Sequence, residues 1–565
     1  MRNFLIATAL SGLTLGCGEP VTQSANVDMV FKGGPIYTAV DAKPTVEAVA
    51  VDDGRIVYAG TAAGLSAWAG ADTQVVDLKG SAMYPGFTDA HGHLIGIGFR
   101  EVQLNLEGIP SLAAMVEKVA ERVKTMEKGE LLYGRGWIET HWPEGRFPTV
   151  ADIDAVSPDN PVMLRRTDGH ALVANSMAIK AAGITRDSVA PMGGDILKDD
   201  DGELTGMFID TAMGAFGKLT TAPTMAERDN AFVLAGKVYT AYGWTGIHSM
   251  SVNPSDVSLM EKISDEGRLG LRVYNSIDGL GQAAYDLFKN GPSYSDNKQI
   301  TTRAIKLYMD GALGSRGAAL LEKYSDADHM GLMRVKMEEY SPILEAALRA
   351  GIQVNTHAIG DKGNRELLNW YEAAYKAVPK EEWASTDLRW RDEHTQVVNP
   401  EDIPRFKELG VIPSMQPSHA INDLFYAPDR LGKDRLHGAY AWRSLIDSGV
   451  IIAGGSDAPV ERGDPRIEYY GAVARKSIVD GFSNEDWHPE EAVTRQEALK
   501  MFTAWPAYAS FMENDLGTIE VGKLADFTVY DKDIMTIPER EILTVNTVLT
   551  IVEGKVVYSG ADDKK

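Results

Sequence analysis

Apolar and polar positions alternate in short runs near the start of the chain, in "DMVFKG", "AVAVDDGRIVYAG" and "TQVVDLKG". This is the period of half-buried β-strands, and Asp53-Gly54 between two such runs is a hairpin signal. The same alternation returns at the far end, in "GKLADFTVYDKD" and "TVLTIVEGKVVYSG", around Glu553-Gly554. Neither group has enough strands to bury a face alone. The two are therefore expected to meet in one small β-sandwich built from residues 27–83 and 514–560.

The middle of the chain follows another rhythm, in which short apolar runs are each followed by a segment of helical period. Eight such runs stand out: "AMYPGFTDAHGH", "GWTGIHSM", "LRVYNSI", "RAIKLYMDG", "IQVNTHAIG", "RWRDEHTQVV", "GVIPSMQPS" and "VIIAGGSDAPV". They specify an α/β fold, a (β/α)8 TIM barrel over residues 84–513, whose site lies at the C-terminal ends of its strands. In "SPILEAALRAG" the helix is expected to have Ser341 as N-cap, Pro342 at its first position and Gly351 past its end. The stretch between the first two runs is too long for one crossover helix, so an insertion at about residues 100–240 is expected, over the barrel mouth or beside it. Inside it, Leu112, Met115, Val119, Val123 and Met126 share one helical face, while "LLYGRGW" and "PVMLRRTDGHALVANS" read as extra strands and loops.

Composition narrows the class. The chain has 565 residues, 44% of them hydrophobic and 24% charged, and a formal charge of -24. Such a charge repels phosphate backbones, which argues against nucleic acid and says little about a small neutral substrate, the partner expected on other grounds. The opening "MRNFLIATALSGLTLGCGEP" reads as an export signal over residues 1–17. Its end resembles a bacterial lipobox, which implies a periplasmic protein lipid-anchored to a membrane at Cys17; a plain secretory signal is the alternative. Cys17 is the only cysteine, so neither a thiolate ligand nor a cysteine nucleophile is available.

On a strand, His91 and His93 project to the same face. His-x-His is weak evidence by itself, because neighbouring histidines are commonly ordinary polar residues. It gains weight from the other runs: Lys306 lies in the fourth, and His357, His394 and Asp457 stand at the ends of the fifth, sixth and eighth. Ionisable or metal-competent side chains thus recur where apolar ones belong. His170, in the insertion, reads either as a substrate contact or as a structural hydrogen bond. His419 and Arg435, in or after the seventh βα loop, read as substrate contacts, and His248 as a satisfied core histidine. Trp137, with Trp142, Phe425, Tyr426 and Trp442, reads as an apolar pocket wall or as scaffold.

Together, "PGFTDAHGH", "GRGWIETHWPEGRFPT", "RRTDGHALVANS", "IKLYMDGALGSR", "THAIGD", "DEHTQ", "SDAP" and "GTIEVGKLADFTVYD" resemble the metal-dependent amidohydrolase superfamily, in its large insert-bearing branch that includes N-substituted formamide deformylase. The resemblance implies the same barrel, with a β-sandwich made from both termini. It further implies two divalent metals, best matched by zinc, with manganese, iron or cobalt also fitting. His91 and His93 would hold one ion, completed by Asp457, and His357 and His394 the other, with Lys306 carboxylated as an anionic bridge. An ammonium beside two cations would be strongly disfavoured. The implied activity is hydrolysis of a carbon–nitrogen bond, of amide or N-formyl type, in a small organic molecule. A metal-bridged hydroxide would attack, with Asp457 as general acid and base. Lactone, ester or carbamate hydrolysis on the same site remains an alternative, as does a surface lipoprotein that binds a ligand without catalysis.

Overall fold

The computed structural model describes residues 26–139, 142–167, 169, 171–191, 194–220, 222–479 and 487–561. The export signal with Cys17, and His170, lie outside them. Among the described residues no helix is long and apolar enough to cross a membrane.

The eight central runs form a barrel: Phe87–Gly92 (β1), Trp244–Val252 (β2), Arg272–Asp278 (β3), Ile300–Tyr308 (β4), Gln353–Ala358 (β5), Arg391–His394 (β6), Ile412–Met415 (β7) and Ala453–Gly454 (β8). Each pairs in parallel with its neighbour in chain order. Just past β8, the N–H groups of Ser456 and Asp457 donate to the His91 carbonyl, at 3.2 and 2.6 Å, and bring the last strand against the first. The strands are buried almost throughout, as a parallel sheet with both faces covered requires.

The helix between β4 and β5 corrects one expectation. It spans Met337–Ala350 and starts a turn before Ser341, with Lys336 as its N-cap residue and Pro342 inside it. Tyr340 causes the difference, because its ring is buried and its hydroxyl donates to the Tyr308 carbonyl at 3.0 Å. Ser341 turns its hydroxyl back to the Met337 carbonyl instead of capping. Gly351 does end the helix, at φ +66°, a conformation that costs glycine little.

The strands of both termini join in one hydrogen-bonded path, in the order Lys555–Ser559, Thr547–Val552, Phe527–Tyr530, Ala82–Pro85, Met29–Tyr37, Thr45–Asp52 and Arg55–Gly60. Along Met29–Tyr37 the partner changes from Gln74–Asp77 to Met83, with a register shift between Lys32 and Ile36. That irregularity folds the path around a core of Phe31, Val49, Phe527 and Ile551. Both hairpin turns are present, and Asp53-Gly54 and Glu553-Gly554 all have positive φ, as a type I′ turn demands.

The insertion has its own sheet, in the order Gly194–Lys198, Leu204–Asp210, Ala171–Ala174, Val162–Arg166, Leu132–Trp137 and Leu104–Asn105. Helix Leu112–Val123 seals one face with Leu112, Met115 and Val119. The whole unit leaves and re-enters the barrel between helices Leu94–Val102 and Met225–Tyr242. These two touch so closely that a Cβ on Gly98 would fall 1.8 Å from the Ala231 carbonyl oxygen.

Candidate active site

The site is built at the C-terminal ends of the strands. Asp89, buried in β1, fixes its starting point by accepting the His91 N–H (3.0 Å), the Ser456 N–H (2.9 Å) and hydroxyl (2.5 Å), and the Tyr239 hydroxyl (2.9 Å). One carboxylate therefore holds the two loops that carry His91 and Asp457. The backbone bends sharply where two of the polar side chains leave their strands, since His394 has φ +81° and Asp457 φ +59°. Such conformations cost non-glycine residues about 1–3 kcal/mol each and persist where the surroundings over-determine them.

His91, His93, Lys306, His357, His394 and Asp457 converge here. His91 Nδ1 lies 2.5 Å from Glu393 Oε2 and His93 Nδ1 lies 3.1 Å from the Met250 carbonyl. Both partners can only accept, so both Nδ1 atoms carry the proton, and the Nε2 lone pairs face the barrel axis. There His93 Nε2 meets Asp457 Oδ1 at 3.0 Å, and His91 Nε2 meets the same oxygen at 3.5 Å and Lys306 Nζ at 3.4 Å. His394 Nδ1 is 2.9 Å from the Gln416 side-chain oxygen, and its ring lies 4.6 Å from those of both His91 and His357. Ligand atoms of His91, His394 and Asp457 all lie within 4.8 Å of one another. His357 Nε2 is buried without a hydrogen-bond partner, 3.5 Å from Asp310 Oδ1.

Burial and charge set the protonation of this cluster. Burial, reinforced by Lys306, pushes His91 down to about 4 and His357 to about 3. Burial and the other two rings push His394 well below the usual range. These imidazoles are neutral near pH 7, the form that ligates metals. Burial lowers Lys306 to about 8 against the pull of Glu393 and Asp457. Burial opposes ionisation of Asp457, yet the His93 hydrogen bond and the His91 and His394 rings hold it well below the usual carboxylate range.

Besides Asp89 and Gln416, three further supporting groups are absent from the residues picked out in the sequence. Glu393, next to His394, receives His91 and pairs with the buried Arg391 at 2.7 Å. Arg391 also donates to the Ala90 carbonyl (2.5 Å) and the Ser414 hydroxyl (2.7 Å), and lies 2.8 Å from His248 Nδ1. His248 is thus a buried member of this network, as its core reading expected. Asp310 accepts the N–H groups of Ala319, Ile359 and Gly360 at 2.8, 3.0 and 2.9 Å and shapes the loop after His357. "DEH" and "MDG" contain these carboxylates, but strand period alone does not show which way each one turns.

The remaining residues separate. His419 reaches the site: its ring stacks on His394 with centroids 5.9 Å apart, its Nδ1 is 2.8 Å from Gln396 Nε2, and its Nε2 is 3.6 Å from Asp457 Oδ2. Trp137 does not line the mouth. It is fully buried in the core of the insertion with Trp142, and its indole N–H donates to the Leu164 carbonyl at 2.9 Å. Its place on a strand turns it inward, so the scaffold reading is the one that fits. Trp442 is likewise fully buried, and Arg435 donates to the carbonyls of Leu431 (2.6 Å) and Lys323 (2.8 Å) as a loop fastener.

The model of the amidohydrolase family matches residues 74–558. The Bacillus subtilis protein YtcJ is 34% identical over 536 residues, covering 94% of this chain and 99% of its own. N-substituted formamide deformylase of Arthrobacter pascens is 28% identical over 551 residues, covering 94% and 98%. The crystal structure of an uncharacterized metal-dependent hydrolase from Pyrococcus horikoshii superposes with a TM-score of 0.72 at 25% identity, covering 90% of this chain and 99% of that one.

Proposed function

The chain belongs to the amidohydrolase family, and from that premise we propose that it hydrolyses an amide or N-formyl bond of a small organic molecule, with Asp457 as general acid and base. The observation that carries this reading is the meeting of acceptors. His91 and His93 have committed their Nδ1 protons elsewhere, so two Nε2 lone pairs point at an anionic Asp457 oxygen, 3.5 and 3.0 Å away. Facing acceptors repel unless a cation lies among them, and two imidazoles with a carboxylate are a donor set suited to zinc. His394, and His357 with its unpartnered Nε2, extend the set towards a second ion.

When bound, divalent metal supplies positive charge that acidifies water and polarises a carbonyl. The side chains do the rest. Glu393 and the Met250 carbonyl orient His91 and His93, and Gln416 orients His394, so their lone pairs need not reorganise on binding. Asp457, held anionic and within reach of the axis, takes a proton from the attacking water and returns it to the leaving amine. Lys306 is close enough to neutrality to react as an amine with carbon dioxide, and we assign it the carboxylated bridging role. The short apolar opening of the chain supports export and anchoring at Cys17.

The test uses purified full chain loaded with zinc, a panel of N-formyl and N-acyl amines beside lactones, esters and carbamates, and Asp457→Asn. Turnover of the amides, about two ions per chain, and a variant that keeps its metal but loses activity are expected. Turnover confined to lactones or esters would remove the amide assignment. An unimpaired Asp457→Asn would remove the proton-transfer role, and a chain that holds its metals yet turns over no member of the panel would favour the ligand-binding alternative.

A further inference from the structure

Resting on that reading, we propose that the insertion carries a carboxylate-binding subsite formed by Arg135 and Arg165, and that the substrate is an N-acyl compound bearing a carboxylate, such as an N-acyl amino acid. The two residues are direct partners in the parallel pairing of Leu132–Trp137 with Val162–Arg166, so their side chains leave the same face of the sheet. Like charges placed side by side across strands repel. A pair of this kind is normally relieved by carboxylates, as the next residue along shows: Arg166 is held by Glu139 at 2.8 Å.

Among the described residues Arg135 and Arg165 form no such ion pair. Arg135 donates through Nη2 to the Thr167 carbonyl (3.1 Å), and its Nε is buried without any partner. Arg165 donates through Nε and Nη2 to a single acceptor, the Gly169 carbonyl, at 3.1 and 2.8 Å. Among the described residues neither has a carboxylate within ion-pair distance. The deficit is felt electrostatically, since burial and then Arg165 push the Arg135 guanidinium down. An anion placed across two guanidinium forks would satisfy the stranded donors and remove the repulsion together.

Position links the pair to the chemistry. The charge of Asp457 acts on Arg135, as does that of Glu107, whose backbone packs against Gly136 in the same strand. Arg135 therefore lies within electrostatic reach of Asp457, and Arg165, its partner across the strands, stands beside it. Glu107 is also influenced by Arg100 and Arg462, and Glu461 by Asp423, Glu107 and Asp457. With the Glu107 carboxyl group close enough to act on Arg135, the pair suits a monoanion such as a carboxylate better than a dianionic phosphate. An acyl amino acid has the required form, with an amide for the metal-binding cluster and a carboxylate for the insertion.

The experiment has a catalytic and a binding arm. In the first, the zinc-loaded chain is assayed with N-acyl amino acids and with their neutral methyl esters or amides, and compared with Arg135→Met, Arg165→Met and Arg135→Lys. The intact chain is expected to prefer the carboxylates. Each Met variant should lower kcat/KM for them by about 10- to 100-fold, the loss of a charge-assisted hydrogen bond, with neutral analogues changed less than threefold and Arg135→Lys intermediate. Equal losses on charged and neutral substrates, or no preference in the intact chain, would overturn the subsite. In the second arm, calorimetry follows binding of N-acetylglycine and of inorganic phosphate to the same folded proteins, independently of turnover. Acetylglycine binding that weakens in Arg135→Met supports the proposal. Equal binding by variant and intact chain, or tighter binding of phosphate, overturns it. If acetylglycine binds through the arginines but no amide is cleaved, the hydrolase assignment fails while the subsite stands.

Discussion

Replacing Glu393 by Gln tests how the metal-binding geometry is held. The substitution keeps the volume and one oxygen acceptor but removes the charge that receives His91 Nδ1–H at 2.5 Å and pairs with Arg391 at 2.7 Å. All of these groups are fully buried, so solvent screens little of the loss. A hydrogen bond to a charged group contributes about 1.5–3 kcal/mol. An ion left buried without its partner costs about 3–5 kcal/mol. The lower figure applies here, because Arg391 keeps the Ala90 carbonyl and the Ser414 hydroxyl as acceptors. The expected outcome is a loss of stability of about 3 kcal/mol in urea unfolding of the chelator-treated protein. Removing such a support for a ligand lowers metal affinity by about 10- to 100-fold, which competition with a chromophoric chelator measures on the folded variant. If affinity stays within twofold of the intact chain while stability falls, Glu393 serves only the fold and His91 owes its orientation to something else.

Trp137→Phe should cost about 1–3 kcal/mol in chemical unfolding through the lost indole hydrogen bond to the Leu164 carbonyl and the space left in a fully buried core, with KM for small amides unchanged; a raised KM without loss of stability would restore the pocket-wall role. Arg272→Met should cost about 3–5 kcal/mol, because Arg272 Nε lies 2.7 Å from Asp526 and ties the barrel to the terminal sheet in a buried pair; an unchanged urea midpoint would show that pair to be idle. Asp152 is held at about 2, first by hydrogen bonds from Arg146. A depressed carboxylate stabilises the fold fully above its unfolded value near 3.8 and loses that contribution as pH falls through its folded value. Asp152→Asn should therefore be less stable than the intact chain at neutral pH, with the difference closing as pH falls towards 2; a pH-independent difference would place the effect in the helix cap instead.

The barrel and its order were legible because each strand announces itself locally, by a short apolar run, a breaker and a helical segment of the right length. The terminal sheet was legible because Asp53-Gly54 and Glu553-Gly554 each fix a two-residue turn, whatever the rest of the chain does. The ends of elements were less so. The start of Met337–Ala350 follows from the burial of Tyr340, a contact with Tyr308 on another element, and Ser341-Pro342 imitates a cap that this contact overrides.

The sequence by itself determined which side chains could serve the site, since His91, His93, Lys306, His357, His394 and Asp457 occupy strand ends where apolar residues would otherwise stand. It could not determine the direction of their lone pairs. That depends on Glu393, Met250 and Gln416, which come from three different strands or their ends and meet their histidines only when the barrel closes. Nor could it separate Trp137 from Arg135, two residues apart in "LLYGRGW". Strict strand alternation would put both on one face; the register shift between them, at Gly136 with φ +111°, turns the indole into the core of the insertion and leaves Arg135 on the other face beside Arg165.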